Sequence, residues 1–322
     1  MLKKSLIIAS LIATNAFAGQ HSHDAKNHEL NYELAGVMRN HIHAKNSFMI
    51  GYSAQHSVMS GLYNQTTAQA EAIGYHAIPK DMSMQMHMLD LMYGVTDKLN
   101  IGIMPQYMTM YMGHIHHDGS FGSHSVDGLG DTKLNASYEI FSSNSQSVIG
   151  SVGVSLPTGS ISKQSGGSQA SYMMQTGSGS YELLPSATFV QKFNEIDFGI
   201  QANASIKLND NAHNYRFGNV YNLTAWAGKN FTKNLGSHLR LDYANTGKVQ
   251  GADSNLDASM SAINNPALQF REITSAFIGG NFYTNNGVKF LLEAGIPLHQ
   301  YVGTGTLQNS YSVNFSVRKA FN

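Results

Sequence analysis

The chain contains no cysteine. Disulfides and thiolate metal sites are thereby excluded, and His, Met, Asp and Glu remain as the side chains able to bind a metal. Charge is scarce as well: Asp, Glu, Lys and Arg make up 12% of the 322 residues, against about 25% in ordinary soluble domains. The 20 Lys and Arg include Lys3 and Lys4, so the chain beyond residue 18 carries 18 basic and 20 acidic residues. With no basic excess there is no electrostatic footprint for nucleic acid. Long apolar runs are also missing: no stretch after the N-terminus approaches the roughly 20 consecutive apolar residues of a transmembrane helix. Yet 42% of the residues are hydrophobic. Few charges without long apolar runs suit strands in which apolar and polar residues alternate.

The N-terminus has Lys3 and Lys4, an apolar stretch from Leu6 to Ala13, then Ala16-Phe17-Ala18. These are the charged, apolar and small-residue regions of a secretory signal, so residues 1–18 are expected to be removed after export. Residues 19–44 read as a His-containing arm or lumen plug. Residues 45–322 read as an all-β, antiparallel, up-and-down transmembrane barrel of about 12 strands. Segments of about ten residues with period-two patterning run to the C-terminus. They are expected near 45–59, 83–95, 99–112, 131–141, 146–156, 180–192, 195–207, 219–230, 235–247, 270–284, 288–301 and 308–321. Tight turns such as Thr96-Asp97-Lys98 and Asn285-Asn286-Gly287 alternate with longer loops near 60–82, 113–130, 157–179, 208–218 and 248–269. Short periplasmic turns and long extracellular loops give that order in an outer-membrane barrel. A soluble sandwich also alternates, but it has no need to sort its loops by length.

Methionine recurs at every second position in two stretches. On a strand, residues two apart share a face. In the first stretch Leu89, Leu91, Tyr93 and Val95 form a lipid-like face, so Met84, Met86, Met88, Asp90 and Met92 are expected to look inward. In the second, Leu99, Ile101, Ile103, Tyr107 and Tyr111 face out and Met104, Met108, Met110 and Met112 face in. Met49 and Met59 extend this thioether patch on the first strand.

The chain from about residue 89 resembles the outer-membrane transporter family named after the meta-pathway of phenol degradation, itself distantly similar to the fatty-acid and hydrocarbon uptake barrels. The likeness is carried by Met92-Tyr93-Gly94-Val95-Thr96-Asp97-Lys98-Leu99 leading to Pro105, and by Gly128-Leu129-Gly130-Asp131 with Lys133-Leu134. It continues in Gly153-Val154-Ser155-Leu156-Pro157-Thr158-Gly159-Ser160, Gly177-Ser178-Gly179-Ser180-Tyr181-Glu182-Leu183-Leu184-Pro185, and Arg216-Phe217-Gly218-Asn219 before Tyr221 and Trp226. The resemblance implies passage of small, often hydrophobic molecules across the outer membrane of a Gram-negative bacterium, with no catalytic residues to carry over.

Histidine is as unevenly spread as methionine: 12 of 15 His lie between His21 and His124, and 12 of 16 Met between Met38 and Met112. Cleavage after Ala18 would leave Gly19-Gln20-His21, whose amine, amides and imidazole form a nitrogen set of the kind Cu(II) or Ni(II) prefers. His23 stands beside it. Further along, His114, His116, His117 and Asp118, followed by His124, stand above the Met ladders. Imidazole binds copper, zinc or nickel and thioethers select Cu(I), so copper is the candidate ion, although no cofactor is required for passage. Gly128-Leu129-Gly130 reads as a rim turn rather than a phosphate cradle, since no strand-loop-helix unit surrounds it. Lys133, Glu139, Asp197, Lys207, Arg240, Asp242, Glu293 and Arg318 are expected inward, paired with one another.

Three functional classes follow. The first is a channel for a small hydrophobic solute or a soft metal ion, in contact with outer-membrane lipid and the barrel-assembly machinery. The second is a metal-binding or metal-sensing surface protein without transport. The third is a lipid-modifying enzyme using His238 or His299, for which no nucleophile signature is present.

Overall fold

Along Ile196–Lys207, Ile196, Phe198 and Ile200 are 38%, 43% and 43% exposed, whereas Asp197 and Gln201 between them are each 4% exposed. Apolar residues outside and polar residues inside invert the arrangement of a soluble protein and suit a wall between lipid and water. The structure is a computed structural model and describes residues 32–321. The expected export signal, residues 1–18, and residues 19–31, with His21 and His23, lie outside the described residues.

Twelve strands form the barrel. They are β1 (Phe48–Leu62), β2 (Ala77–Gly94), β3 (Leu99–Met104, continued by Gln106–His116), β4 (Phe121–Leu129, continued by Thr132–Ser142), β5 (Gln146–Leu156) and β6 (Glu182–Leu183, continued by Ser186–Phe193). The second half holds β7 (Ile196–Lys207), β8 (Val220–Asn230), β9 (Leu235–Thr246), β10 (Arg271–Tyr283), β11 (Val288–Val302) and β12 (Leu307–Phe321). Each pairs antiparallel with its neighbours. β1 closes the ring, pairing with β2 from Phe48↔Tyr93 to Ser60↔Asp81 and with β12 from Phe48↔Phe321 to Leu62↔Leu307. Closure satisfies the backbone groups that a sheet edge would leave open in lipid.

Proline accounts for several irregularities, because it lacks the N–H a ladder needs. Pro105 divides β3 and Pro185 lies in the break of β6, while Pro79 and Pro297 sit at register shifts. The wall stays continuous at these points: Leu89 donates to the Pro105 carbonyl at 3.1 Å and Ala204 to that of Pro185 at 3.0 Å.

Residues 113–130 correct the sequence reading. They were expected as a loop, and instead β3 runs on to His116, turns at Gly119 (φ 78°) and returns as the upper part of β4. β2 likewise begins at Ala77, inside an expected loop that also holds a short helix, α1 (Thr67–Ile73). The cause is an interrupted pattern. On the outer face, His56, Gln85, Thr109 and Asp127 are cross-strand neighbours and form a polar row. Below it stand exposed Tyr52, Leu89, Ile101 and Ile103. Above the row the outer face of the hairpin carries Tyr111, Ile115 and Phe121 interrupted by Gly113, Ser123 and Ser125, too broken an alternation by which to recognise a strand. Above Gly130 the β4 strand pairs with β3 alone.

Residues 32–47 enter the barrel from the end that bears the short turns. Lys45 N–H donates to Asp97 at 2.9 Å and Asn46 N–H to the Gly94 carbonyl at 2.7 Å, anchoring the segment at that rim. Further in, Tyr32, Leu34 and Val37 pack on Val190 and Trp226. Glu33 pairs with Lys289 and with Arg318 at 3.4 Å. The position of Gly36 requires glycine, because a Cβ there would lie 2.1 Å from Glu293 Oε1 and 2.7 Å from Arg240 Nη2.

Candidate functional site

Strand register converts the methionine spacing into transverse rows. Met59, Met82, Met112 and His124 are successive partners across β1, β2, β3 and β4, and below them come Ser57, Met84, Met110 and Val126. The next rows down are Gln55, Met86, Met108 and Gly128, then Ser53, Met88 and Gln106.

The structure divides the nine inward residues expected from sequence into three environments. Met86, Met88, Asp90, Met104 and Met108 line a chamber of about 710 Å³ inside the barrel. Met110 and Met112 instead join Met59, Met82 and Met174 in a packed cluster, covered by Ala170 and Ile263 from the inward-folded loops, with Met84 resting against it. Met92 is buried beside its cross-strand partner Met49, nearer the short-turn end. Thioethers pack into irregular space, which suits the junction of three strands and two loops.

The rest of the chamber wall is largely polar, with Lys133 beside Met104 and with Glu182, Lys207, Arg240 and Asp242, and Ala35, Gly36, Met38 and Arg39 of the N-terminal segment border it as well. Its charges are largely paired. Lys207 meets Glu182 at 2.6 Å, and Arg240 bridges Glu293 at 2.6 Å and Asp242 at 3.0 Å. Glu293 also accepts from Asn314 at 2.7 Å and contacts His238 Nε2 at 3.1 Å. The carboxylate of Glu33, which caps Arg318 from the N-terminal segment, was not recognised in the sequence. Nothing in its local pattern distinguishes it from a solvated arm residue.

The extracellular His residues form a second group. On β3, His114 and His116 share a face, and their Nε2 atoms are 3.2 Å apart. His124 stacks on His114 with centroids 4.5 Å apart. His117 is set apart from them, its ring tilted against His76 at 6.1 Å. Asp118 does not join the imidazoles: the Ser120 hydroxyl and N–H bind its carboxylate, holding it below the usual carboxylate range. Among the described residues, no three His, Asp or Glu side chains are placed to hold one metal ion between them.

Two loop features escaped sequence reasoning. Asp131, at the break in β4, accepts from Gly159 N–H at 2.9 Å and from Ser178 N–H at 2.8 Å, so the Gly-Asp step fastens together the two ends of the extracellular loop between β5 and β6. Ser162, His213 and Asp253 form a hydrogen-bonded line, with Ser162 Oγ 3.1 Å from His213 Nε2 and His213 Nδ1 2.7 Å from Asp253 Oδ2. The order is that of a hydrolase triad. However, the amide after the serine, where an oxyanion donor is needed, is spent on Gln175 Oε1 at 2.9 Å. The line ties three loops together. His238, considered from sequence for hydrolysis, is committed to Glu293.

The profile of the family described as putative MetA-pathway of phenol degradation matches residues 43–295. The chain belongs to that family. Among solved structures, an outer-membrane channel from Pseudomonas putida F1 is similar with a TM-score of 0.59 at 14% identity, covering 88% of this chain and 98% of that one. A deletion variant of the TodX monoaromatic hydrocarbon channel gives 0.46 at 11% identity, covering 88% and 91%. The KdgM porin gives 0.43 at 9%, covering 85% and 99%. At such identities the likeness is one of fold. No curated protein sequence matches the chain. Family membership, a closed barrel and a greasy exterior place the protein in the outer membrane of a Gram-negative bacterium.

Proposed function

We propose that this member of the family is a channel for a small, weakly hydrated solute, closed at rest by residues 32–47. The observation that carries the reading is the chamber of about 710 Å³ with one thioether wall, bordered by the N-terminal segment. Thioethers are polarizable and adaptable, so they favour apolar or aromatic molecules and soft ions over sugars. The family's description, with its link to phenol degradation, points to the first class. The crowding of Met and His in the first third of the chain points to the second, with Cu(I) as the ion.

The solute would pass the extracellular loops, exchange water for thioether contact and for hydrogen bonds from the polar wall, and leave when the segment moves. Weak binding at several places suits flux better than one tight site. Displacing the segment breaks the Glu33 ion pairs and exposes Tyr32, Leu34 and Val37, each of which contributes about 1.5–3 kcal/mol when buried. Spontaneous opening is accordingly rare. No catalytic step or cofactor enters this reading. The partners it needs are outer-membrane lipid, the barrel-assembly machinery and the solute itself.

The test is reconstitution of the full-length barrel and of a variant lacking residues 19–44 in liposomes. Entry of phenol-sized aromatics, Cu(I) and a disaccharide is measured in both. The deletion is expected to raise flux of at least one small solute severalfold and to leave the disaccharide largely excluded. Equal flux through both forms, or free passage of the disaccharide through the intact barrel, contradicts the reading.

A further inference from the structure

We propose that the β3–β4 hairpin carries an extracellular binding site for Cu(I), with His114 Nε2 and His116 Nε2 as its nitrogen donors. The site lies outside the chamber described above. It binds whether or not the barrel conducts.

The geometry comes from strand periodicity. Residues two apart on β3 point the same way, and the two Nε2 atoms stand 3.2 Å apart with their rings at 85°. Two nitrogens bound to one ion at about 2.0–2.1 Å with a tetrahedral angle would be roughly 3.3 Å apart, so the spacing already suits the ion, which would take the place of the proton the two nitrogens share in their hydrogen bond. Both nitrogens converge over Gly122, the cross-strand partner of His114. A Cβ at Gly122 would lie 2.4 Å from His114 Nε2 and 2.6 Å from His116 Nε2. Only glycine leaves that space open. His124 stacks its ring on His114 and steadies it, and its Nδ1 is buried without a hydrogen-bond partner.

The choice of a soft ion rests on what else is present. The three imidazoles line an extracellular cavity of about 430 Å³ together with Met112, Met174 and Met260. Thioethers select Cu(I), whereas carboxylates would favour harder ions. The nearby carboxylates are already engaged: Asp118 accepts from Ser120 N–H at 2.9 Å and Asp257 from Ser259 N–H at 2.8 Å.

The test uses the full-length protein in detergent, titrated anaerobically with Cu(I) against a chromogenic Cu(I) chelator, with X-ray absorption on the loaded protein. Three forms are compared: the parent, His114→Asn combined with His116→Asn, and Gly122→Ala, which keeps every histidine. Folding is monitored by the heat-dependent shift of the barrel in electrophoresis, which is expected in all three. Both variants are expected to bind one equivalent of Cu(I) less than the parent, and the difference spectrum should contain nitrogen and sulfur neighbours. Unchanged stoichiometry in the folded double variant overturns the proposal. So does a difference spectrum without sulfur, or Zn(II) held at this place as tightly as Cu(I). None of these readings depends on flux.

Discussion

At the scale of single residues, the methionines show how one residue type serves two ends. Met110 is 3% exposed and packed among other thioethers, whereas Met86 and Met108 border open space. Replacing Met110 by Leu conserves volume and should cost less than about 1.5 kcal/mol. Met110→Ala should cost about 2–5 kcal/mol through the cavity it leaves, with urea unfolding of the refolded barrel as the measurement. The buried ion network is less tolerant. Glu293 accepts from Arg240 and Asn314 and contacts His238, so Glu293→Gln leaves a cation with half its partners and should lower stability by about 3 kcal/mol in the same assay. Which face each methionine occupied could be read from spacing. Which ones the loops would cover could not, because that depends on Ala170, Met174 and Ile263 arriving from segments 60 to 150 residues away in sequence.

At the scale of elements, the proposed gating falls to the N-terminal segment and the fastening to the extracellular loops. Gly228 on β8 faces Tyr32, and a Cβ there would lie 2.7 Å from the ring. Gly228→Ala should therefore lift the segment from the wall. Trp226, the single tryptophan, packs in the same cluster, so its emission should shift to the red as conductance rises; unchanged emission with unchanged conductance would show that the segment does not close the bore. The Ser162–His213–Asp253 line is predicted to be mechanical. His213→Ala should speed proteolysis at Lys163 while the barrel itself stays resistant, and an active-site serine probe should label neither form. The β3–β4 hairpin shows why some elements were not legible: Gly113, Ser123 and Ser125 interrupt the outer apolar half of its pattern.

At the scale of the whole molecule, closure dominates. With β1 paired on both sides, the barrel has no free edge across the lipid band to fray, so the purified protein should migrate as a compact species in cold SDS and change mobility only on heating. Failure to show that shift would count against a closed wall. The amino-acid sequence by itself determined the strands, their order, the lipid-facing side of each and the end bearing short turns. Those features follow from period-two hydropathy and turn chemistry, which are local. The tertiary structure alone decided how far the hairpins rise above the membrane, which thioethers line open space, and which charges meet. Glu33 with Arg318 and Asp131 with Ser178 are contacts between distant segments, and their energies exist only once the wall has closed around them.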